Sequence, residues 1–242
     1  MYTENDTLAK IVLENFKASY ILENLKLNYS TEGKRTLKEA CNLSRLNPKK
    51  ILKDIIANDN HGANFLKINS WEIDFLSEYI ESNHHSYVRK VFPVINSNCK
   101  ILAKNKKIGS RLLNDLTDLK ADFETHMQKE ERLIFPYIKR MNKIHNEKTD
   151  FEIPPFGSIS NLIKVMEKEH HVANKALMRI RESCNDFKVK ADHDLGLKNL
   201  YCFLKEFETD FNFHIHLENN LLFPKAIALE KKLKKISKLK YK

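Results

Sequence analysis

Two stretches of this chain follow one pattern: HMQKEERLIFP from His126 and HIHLENNLLFP from His214, both of the form HxxxExxLxFP. Residues four apart on an α-helix stand one above the other on the same face. Each stretch therefore aims an imidazole and a carboxylate at one point. A single HxxxE is ordinarily a surface pair, and LxFP alone reads as core packing followed by a helix-ending proline. Two copies with the same downstream context are a stronger constraint, because a further histidine precedes each: His84 or His85 ahead of His126, and His170 ahead of His214. The region reads as two units, each a histidine helix followed by an HxxxE helix. Four such helices close into an antiparallel bundle with the polar residues inside.

The rest of the chain agrees with an all-α fold. Only five glycines and six prolines occur in 242 residues, too few for many hairpins. The bundle helices are expected from Trp71 (capped by Ser70) to about Ala103, from Ile108 to His145, from Ser158 or Ser160 to about Phe187, and from Asp194 into the C-terminal run. They form a domain over 68–242. A small three-helix domain over 1–62 precedes it. Its first helix carries Leu8, Ile11, Val12, Phe16, Tyr20, Leu22 and Leu25 at helical spacing, its second spans Thr36 to Leu46, and its third opens with Asn47 as N-cap and Pro48 at the first helical position. The polar stretch Asn58 to Gly62 reads as a linker.

The net charge of +10 raises the question of nucleic acid. Much of it lies in the terminal run KKLKKISKLKYK, which reads as a frayed, solvated tail, and no nucleic-acid motif accompanies it. The four cysteines, Cys41, Cys99, Cys184 and Cys202, are scattered without a CxxC pair, which suits a reducing compartment. The N-terminus has neither a basic start nor an apolar core of a leader, and no apolar run approaches membrane-spanning length. A cytoplasmic protein without a membrane partner is expected.

Four imidazoles and two carboxylates, Glu130 and Glu218, suit iron, manganese or zinc, and the lack of thiolates argues against an iron–sulfur cluster. A glutamate can join two cations through its two oxygens while histidines cap the outer ends. His171 and His216 point roughly 100° and 200° away from the adjacent ligand on an ideal helix, toward the surface or an outer role. Glu131 and Glu169 also lie off the ligand face. His61, His145 and His193 fall in linkers or helix ends. Of the adjacent pair His84 and His85, only one can face the interior of a regular helix. The phase set by Leu76, Ile80, Val91 and Ile95 favours His84.

These residues resemble the RIC (repair of iron centres) family, di-iron hemerythrin-like proteins of bacterial stress responses. His85 with Tyr87-Val88-Arg89 and Phe92-Pro93 is similar to the family's first ligand helix, and its distance to Pro93 selects His85. His126 to Pro136, Val165 to His170, and His214 to Pro224 are similar to the second, third and fourth. The resemblance implies a hemerythrin-like four-helix bundle in which His85, His126, His170 and His214 ligate two iron ions and Glu130 and Glu218 bridge them, with an oxo or hydroxo group between the irons. The N-terminal segment Asn28 to Leu37 also resembles the family, but Ser30 and Thr31 stand where relatives carry adjacent cysteines, and Asn105 where they often carry a histidine.

Two histidines, two bridging carboxylate oxygens and one solvent bridge would leave each iron a free position for dioxygen, nitric oxide or peroxide. Oxygen-carrying hemerythrins use a fifth histidine that has no counterpart here. The expectation is therefore repair of iron-sulfur or other iron centres after oxidative or nitrosative stress, by iron donation or by a nitric oxide reductase-like activity. The alternative is a module that binds or senses dioxygen or nitric oxide. Damaged iron-sulfur proteins and small gases are the expected partners, with room for a homodimer.

Overall fold

The computed structural model describes residues 2–58, 68–104 and 110–240, so the greater part of the linker, with His61, and the segment holding Asn105 lie outside it. The described chain is helical, with one isolated bridge pairing Thr7 and Thr36. Those two threonines are also the N-caps of α1 (Leu8–Glu14) and α3 (Leu37–Leu43), the latter with a full capping box to Glu39.

Four short helices, not three, build the N-terminal unit: α1, α2 (Ala18–Asn24), α3 and α4 (Pro48–Ala57). The expected first helix is split at Asn15, whose backbone is extended and whose side chain accepts from the Lys17 N–H and donates to the Ile55 carbonyl. An asparagine that bonds to nearby backbone offers the chain an alternative to helix. Asn47 caps α4 through the Lys49 and Lys50 N–H groups, with Pro48 next, as the sequence suggests. Leu8, Ile11, Leu22, Leu37, Cys41 and Ile55 are fully buried and give the unit its own core.

The bundle consists of α5 (Ile73–Tyr79), α6 (Ser86–Lys104), α7 (Ser110–Lys129), α8 (Phe135–Glu147), α9 (Ile159–Ser183), α10 (Leu195–Leu217) and α11 (Phe223–Lys240). Three of its four long helices are interrupted by a π turn: Ile80–His85 joins α5 to α6, Glu130–Ile134 joins α7 to α8, and Glu218–Leu222 joins α10 to α11. Ser158 and Asp194 cap α9 and α10. Ser70 instead lies in a 3-10 turn and the N-cap of α5 is Glu72. The third long helix stops at Ser183, because Asn185, Asp186 and Phe187 all take left-handed backbone angles.

The second and fourth long helices continue past Pro136 and Pro224, as their expected spans from Ile108 to His145 and from Asp194 into the C-terminal run require. Each proline sits two residues past the last residue of a π turn, where the ladder has already been widened by one residue and the missing proline N–H breaks less of it. The basic run, expected to fray, is helical over its described residues: α11 continues to Lys240, with Leu233 buried and Lys234 paired to Glu230.

The bundle core falls into two apolar clusters. One gathers Phe92, Ile95, Leu116, Phe123, Leu204, Phe207 and Phe211, the other Leu76, Ile80, Ile138, Met141, Ile159, Leu222 and Phe223. The histidines and glutamates of the repeat lie between them. No helix of the described residues is long and apolar enough to cross a membrane.

Candidate metal centre

The six residues expected as ligands come together in the belt between the two apolar clusters. His85 ends the first π turn, His126 lies in the last turns of α7, His170 in mid-α9 and His214 near the end of α10, while Glu130 and Glu218 each open a π turn. None is more than 3% exposed. π turns concentrate at functional positions because the extra residue re-aims side chains that a regular helix would send elsewhere.

The imidazoles pair across the belt. His85 and His214 bring their Nε2 atoms to 3.3 Å, and His126 and His170 bring theirs to 3.0 Å. Each carboxylate faces both pairs. Glu130 places Oε2 3.5 Å from His85 Nε2 and Oε1 3.3 Å from His126 Nε2. Glu218 places Oε1 3.0 Å from His214 Nε2 and Oε2 3.1 Å from His170 Nε2. The result is two four-residue groups that share both glutamates: His85, Glu130, His214 and Glu218, and His126, Glu130, His170 and Glu218, with the ligand atoms of each within 4.8 Å of one another. None of the four carboxylate oxygens has a well-directed hydrogen bond. Buried lone pairs that converge without donors are costly unless a cation meets them. The donor set fits two cations of the iron, manganese or zinc type.

Protons occupy part of this role when no cation is bound. Burial works against a charged His85 ring, but the adjacent Glu130 carboxylate and the bond to Glu131 outweigh it and raise the group to about 9. Burial likewise opposes charge on His126, yet the adjacent Glu130 charge and the bond to Glu169 raise it to about 10. Burial dominates at His214 and lowers it. Both glutamates are held below the usual carboxylate range: burial favours their neutral forms, but the surrounding imidazoles more than offset it.

A set of outer partners orients the rings. Nδ1 of His85 meets Glu131 at 2.7 Å, Nδ1 of His126 meets Glu169 at 3.0 Å, and Nδ1 of His170 meets Asn219 at 2.9 Å. Glu131 and Glu169 are each pulled down to about 2, chiefly by these histidine bonds. Such partners fix the tautomer and leave Nε2 as the donor toward the metal position. Sequence reasoning placed Glu131 and Glu169 off the ligand face, which is correct for their own helices. Their partners come from other helices, and only helix packing shows that. A signal was nonetheless present: Glu131 and Asn219 hold the same place in the two copies, directly after Glu130 and Glu218. The phenylalanines of the repeat are also used, Phe135 stacking on His85 at 5.7 Å and Phe223 on His170 at 6.1 Å.

His84 and His85 are both buried, contrary to the expectation that only one can face inward. The π turn supplies the reason, since one extra residue per turn shifts the helical phase by roughly 100°. His85 joins the cluster. His84 turns to Asp210 at 2.8 Å and stacks parallel to the His214 ring at 5.6 Å. In the second copy the equivalent place is held by Glu169, which serves His126; His84 does not serve His214, whose Nδ1 is buried without a hydrogen bond. His216, expected toward the surface or in an outer role, is fully buried against Tyr29 of the N-terminal unit, and burial lowers it to about 4. His171 is exposed as expected, bonded only to the Glu167 carbonyl of its own helix. A cleft of ≈ 400 Å³ lined by Phe123, His126, Lys129, Val165, Glu169 and His170 opens onto the second pair.

The chain is similar to known proteins. An iron-sulfur cluster repair protein YtfE of Escherichia coli is 26% identical over 237 residues, covering 95% of this chain and all of that protein. The protein of that name in Shigella boydii shows the same identity and coverage. A probable iron-sulfur cluster repair protein of Haemophilus influenzae is 35% identical over 112 residues, 46% of this chain and 44% of that protein. The family described as Hemerythrin HHE cation binding domain matches residues 79–226, which include all six residues of the cluster. With both HxxxE helices, both single-histidine helices and the shared carboxylates in that span, the chain belongs to the hemerythrin HHE cation-binding family.

Proposed function

We propose that the cluster holds two iron ions and that the protein acts in the repair of iron centres damaged by oxidative or nitrosative stress. The observation that carries this reading is the sharing of Glu130 and Glu218. Each carboxylate offers one oxygen to each histidine pair, an arrangement suited to two adjacent cations rather than one. His85 and His214 would hold one iron, His126 and His170 the other. Bound there, the two irons would supply one-electron redox chemistry and open positions for a small gas.

The protein's own residues hold and shield that chemistry. Glu131, Glu169 and Asn219 keep three imidazoles in one tautomer, Phe135 and Phe223 wall the belt, and the apolar clusters above and below keep bulk water out. The cleft beside His126 and His170 gives dioxygen or nitric oxide a way in. The relatives' names support iron-sulfur proteins as the targets. A cytoplasmic setting fits the free cysteines Cys41, Cys99, Cys184 and Cys202.

The first test is metal analysis of protein purified without added iron, alongside His126→Ala and Glu218→Ala. About two irons per chain in the wild type, with loss in the variants, is expected. No bound metal, or an equal content in all three, overturns the reading. Anaerobic nitric oxide added to the reduced, iron-loaded protein then separates the two activities. Stoichiometric nitrous oxide supports reduction, whereas iron appearing in a ferrous chelator or an apo-acceptor supports donation.

A further inference from the structure

The N-terminal unit reaches the metal centre through Asn219 of the bundle. Its loop from Asn28 to Gly33 lies on the π turn that begins with Glu218. Asn219, 7% exposed, donates from Nδ2 to the Ser30 carbonyl at 3.3 Å and accepts at Oδ1 from His170 Nδ1 at 2.9 Å. Asn220 donates to the Tyr29 and Ser30 carbonyls at 3.2 and 3.1 Å. The loop is itself held in shape, because Asn28 Oδ1 accepts from the Ser30 and Thr31 N–H groups.

The repeat shows that this link is particular to one half of the site. The place of Asn219 is taken in the first copy by Glu131, which accepts from His85 and from Arg89 of the bundle itself. A carboxylate can only accept, so it could serve a histidine but not a backbone carbonyl as well. An amide does both at once. Gly33 fits the same picture: a Cβ there would stand 2.5 Å from Asn220 Oδ1 and 2.6 Å from the Tyr29 carbonyl, so the loop seats this closely only with glycine at that position.

We infer that the N-terminal unit regulates the metal centre, its docked loop holding His170 through Asn219 and thereby setting how firmly the His126–His170 position grips its ion. Asn219 is a positioning residue. The inference rests on the di-iron reading and adds to it that the two positions answer differently to the N-terminal unit.

The test uses full-length, iron-loaded protein and follows iron transfer to a ferrous chelator, with Mössbauer spectra reporting the two iron environments separately. Asn219→Leu removes both bonds, and release of one of the two irons is expected to quicken roughly 10–100-fold, the usual effect of losing an outer partner of a ligating histidine. Gly33→Ala touches no ligand but displaces the loop, and it should quicken release of the same iron. Asn219→Asp keeps an acceptor for His170 and removes the donor to Ser30, so adding Gly33→Ala to it should change nothing further. If Gly33→Ala fails to fold by circular dichroism, Asn220→Ala replaces it, since that change frees the loop without a clash. The inference is overturned if the loop variants release both irons at wild-type rates, or if their effect persists unchanged in the Asn219→Asp background. A wild type without two irons would instead overturn the metal reading.

Discussion

Replacing Glu230 with alanine tests how the ligand helices are held in place. This carboxylate on α11 is 2% exposed and accepts four hydrogen bonds: Tyr137 Oη of α8 at 3.0 Å, Ser158 Oγ at 2.6 Å, the Ile159 N–H at 2.9 Å and Lys234 Nζ at 2.9 Å. It therefore ties the N-terminus of α9, which carries His170, to two other helices. In the alanine variant Lys234 and Ser158 can turn to solvent, but the Ile159 N–H and the Tyr137 hydroxyl remain buried. Each unsatisfied buried group costs about 1–3 kcal/mol; at a central value of about 1.5–2 kcal/mol for each of the two, a loss of roughly 3–4 kcal/mol is expected. For a chain of this size that corresponds to a melting point lower by roughly 6–16 °C. The measurement is thermal and urea unfolding of the metal-free protein followed by circular dichroism. Burial tends to raise the Glu230 pKa, but the bonds from Ser158, Ile159, Lys234 and Tyr137 outweigh it and hold the folded value below the ordinary one. A depressed folded value stabilises above the unfolded pKa and is lost as pH falls through the folded one. The gap between wild type and Glu230→Ala should thus be full at neutral pH and narrow below about pH 4. A variant within 1 kcal/mol of wild type at pH 7, or a gap that widens in acid, refutes the reasoning.

Further expectations concern the metal positions. His85→Ala should lower iron content, whereas His84→Ala should keep it and instead lose stability by about 1–3 kcal/mol, because Asp210 is left without its partner; metal analysis and melting of both variants separate the roles. Glu131→Gln and Glu169→Gln should each weaken iron retention roughly 10–100-fold, measured by chelator competition, since a neutral amide is a poorer acceptor for the His85 and His126 Nδ1–H groups. Stripping the iron should lower the melting point, as an ion bound only by the folded state and present at about 1,000 times its dissociation constant contributes about 4 kcal/mol. Equal melting of stripped and loaded protein would argue that the cluster is not a tight site.

Much of the fold was legible in the sequence because its signals are local. Helical spacing, the Asn47-Pro48 start and the beginnings of the last two bundle helices, at Ser158 or Ser160 and at Asp194, depend on residues within a turn or two of one another, and the structure keeps them. What was misjudged involves partners far along the chain. Asn15 breaks the first helix with a bond to Ile55, and α11, whose basic run was expected to fray, is drawn onto the start of α9 by Glu230. The adjacent histidines were misjudged for another reason. An ideal 3.6-residue period has no place for a π turn, and nothing local in the sequence announces one except the proline that follows in the two repeat copies.

By itself the sequence determined the chemistry of the centre: two HxxxE helices, two more histidines and no thiolates among them restrict the site to hard or borderline cations in a helical interior. Only the tertiary structure decided the geometry. It turned both glutamates so that each faces both imidazole pairs, supplied outer partners to three of the four rings, and joined the N-terminal loop to His170 through Asn219. The physical reason is that side-chain identity sets which atoms can bind, while their meeting point depends on helix phase and packing between residues more than a hundred positions apart, such as Ser30 and Asn219.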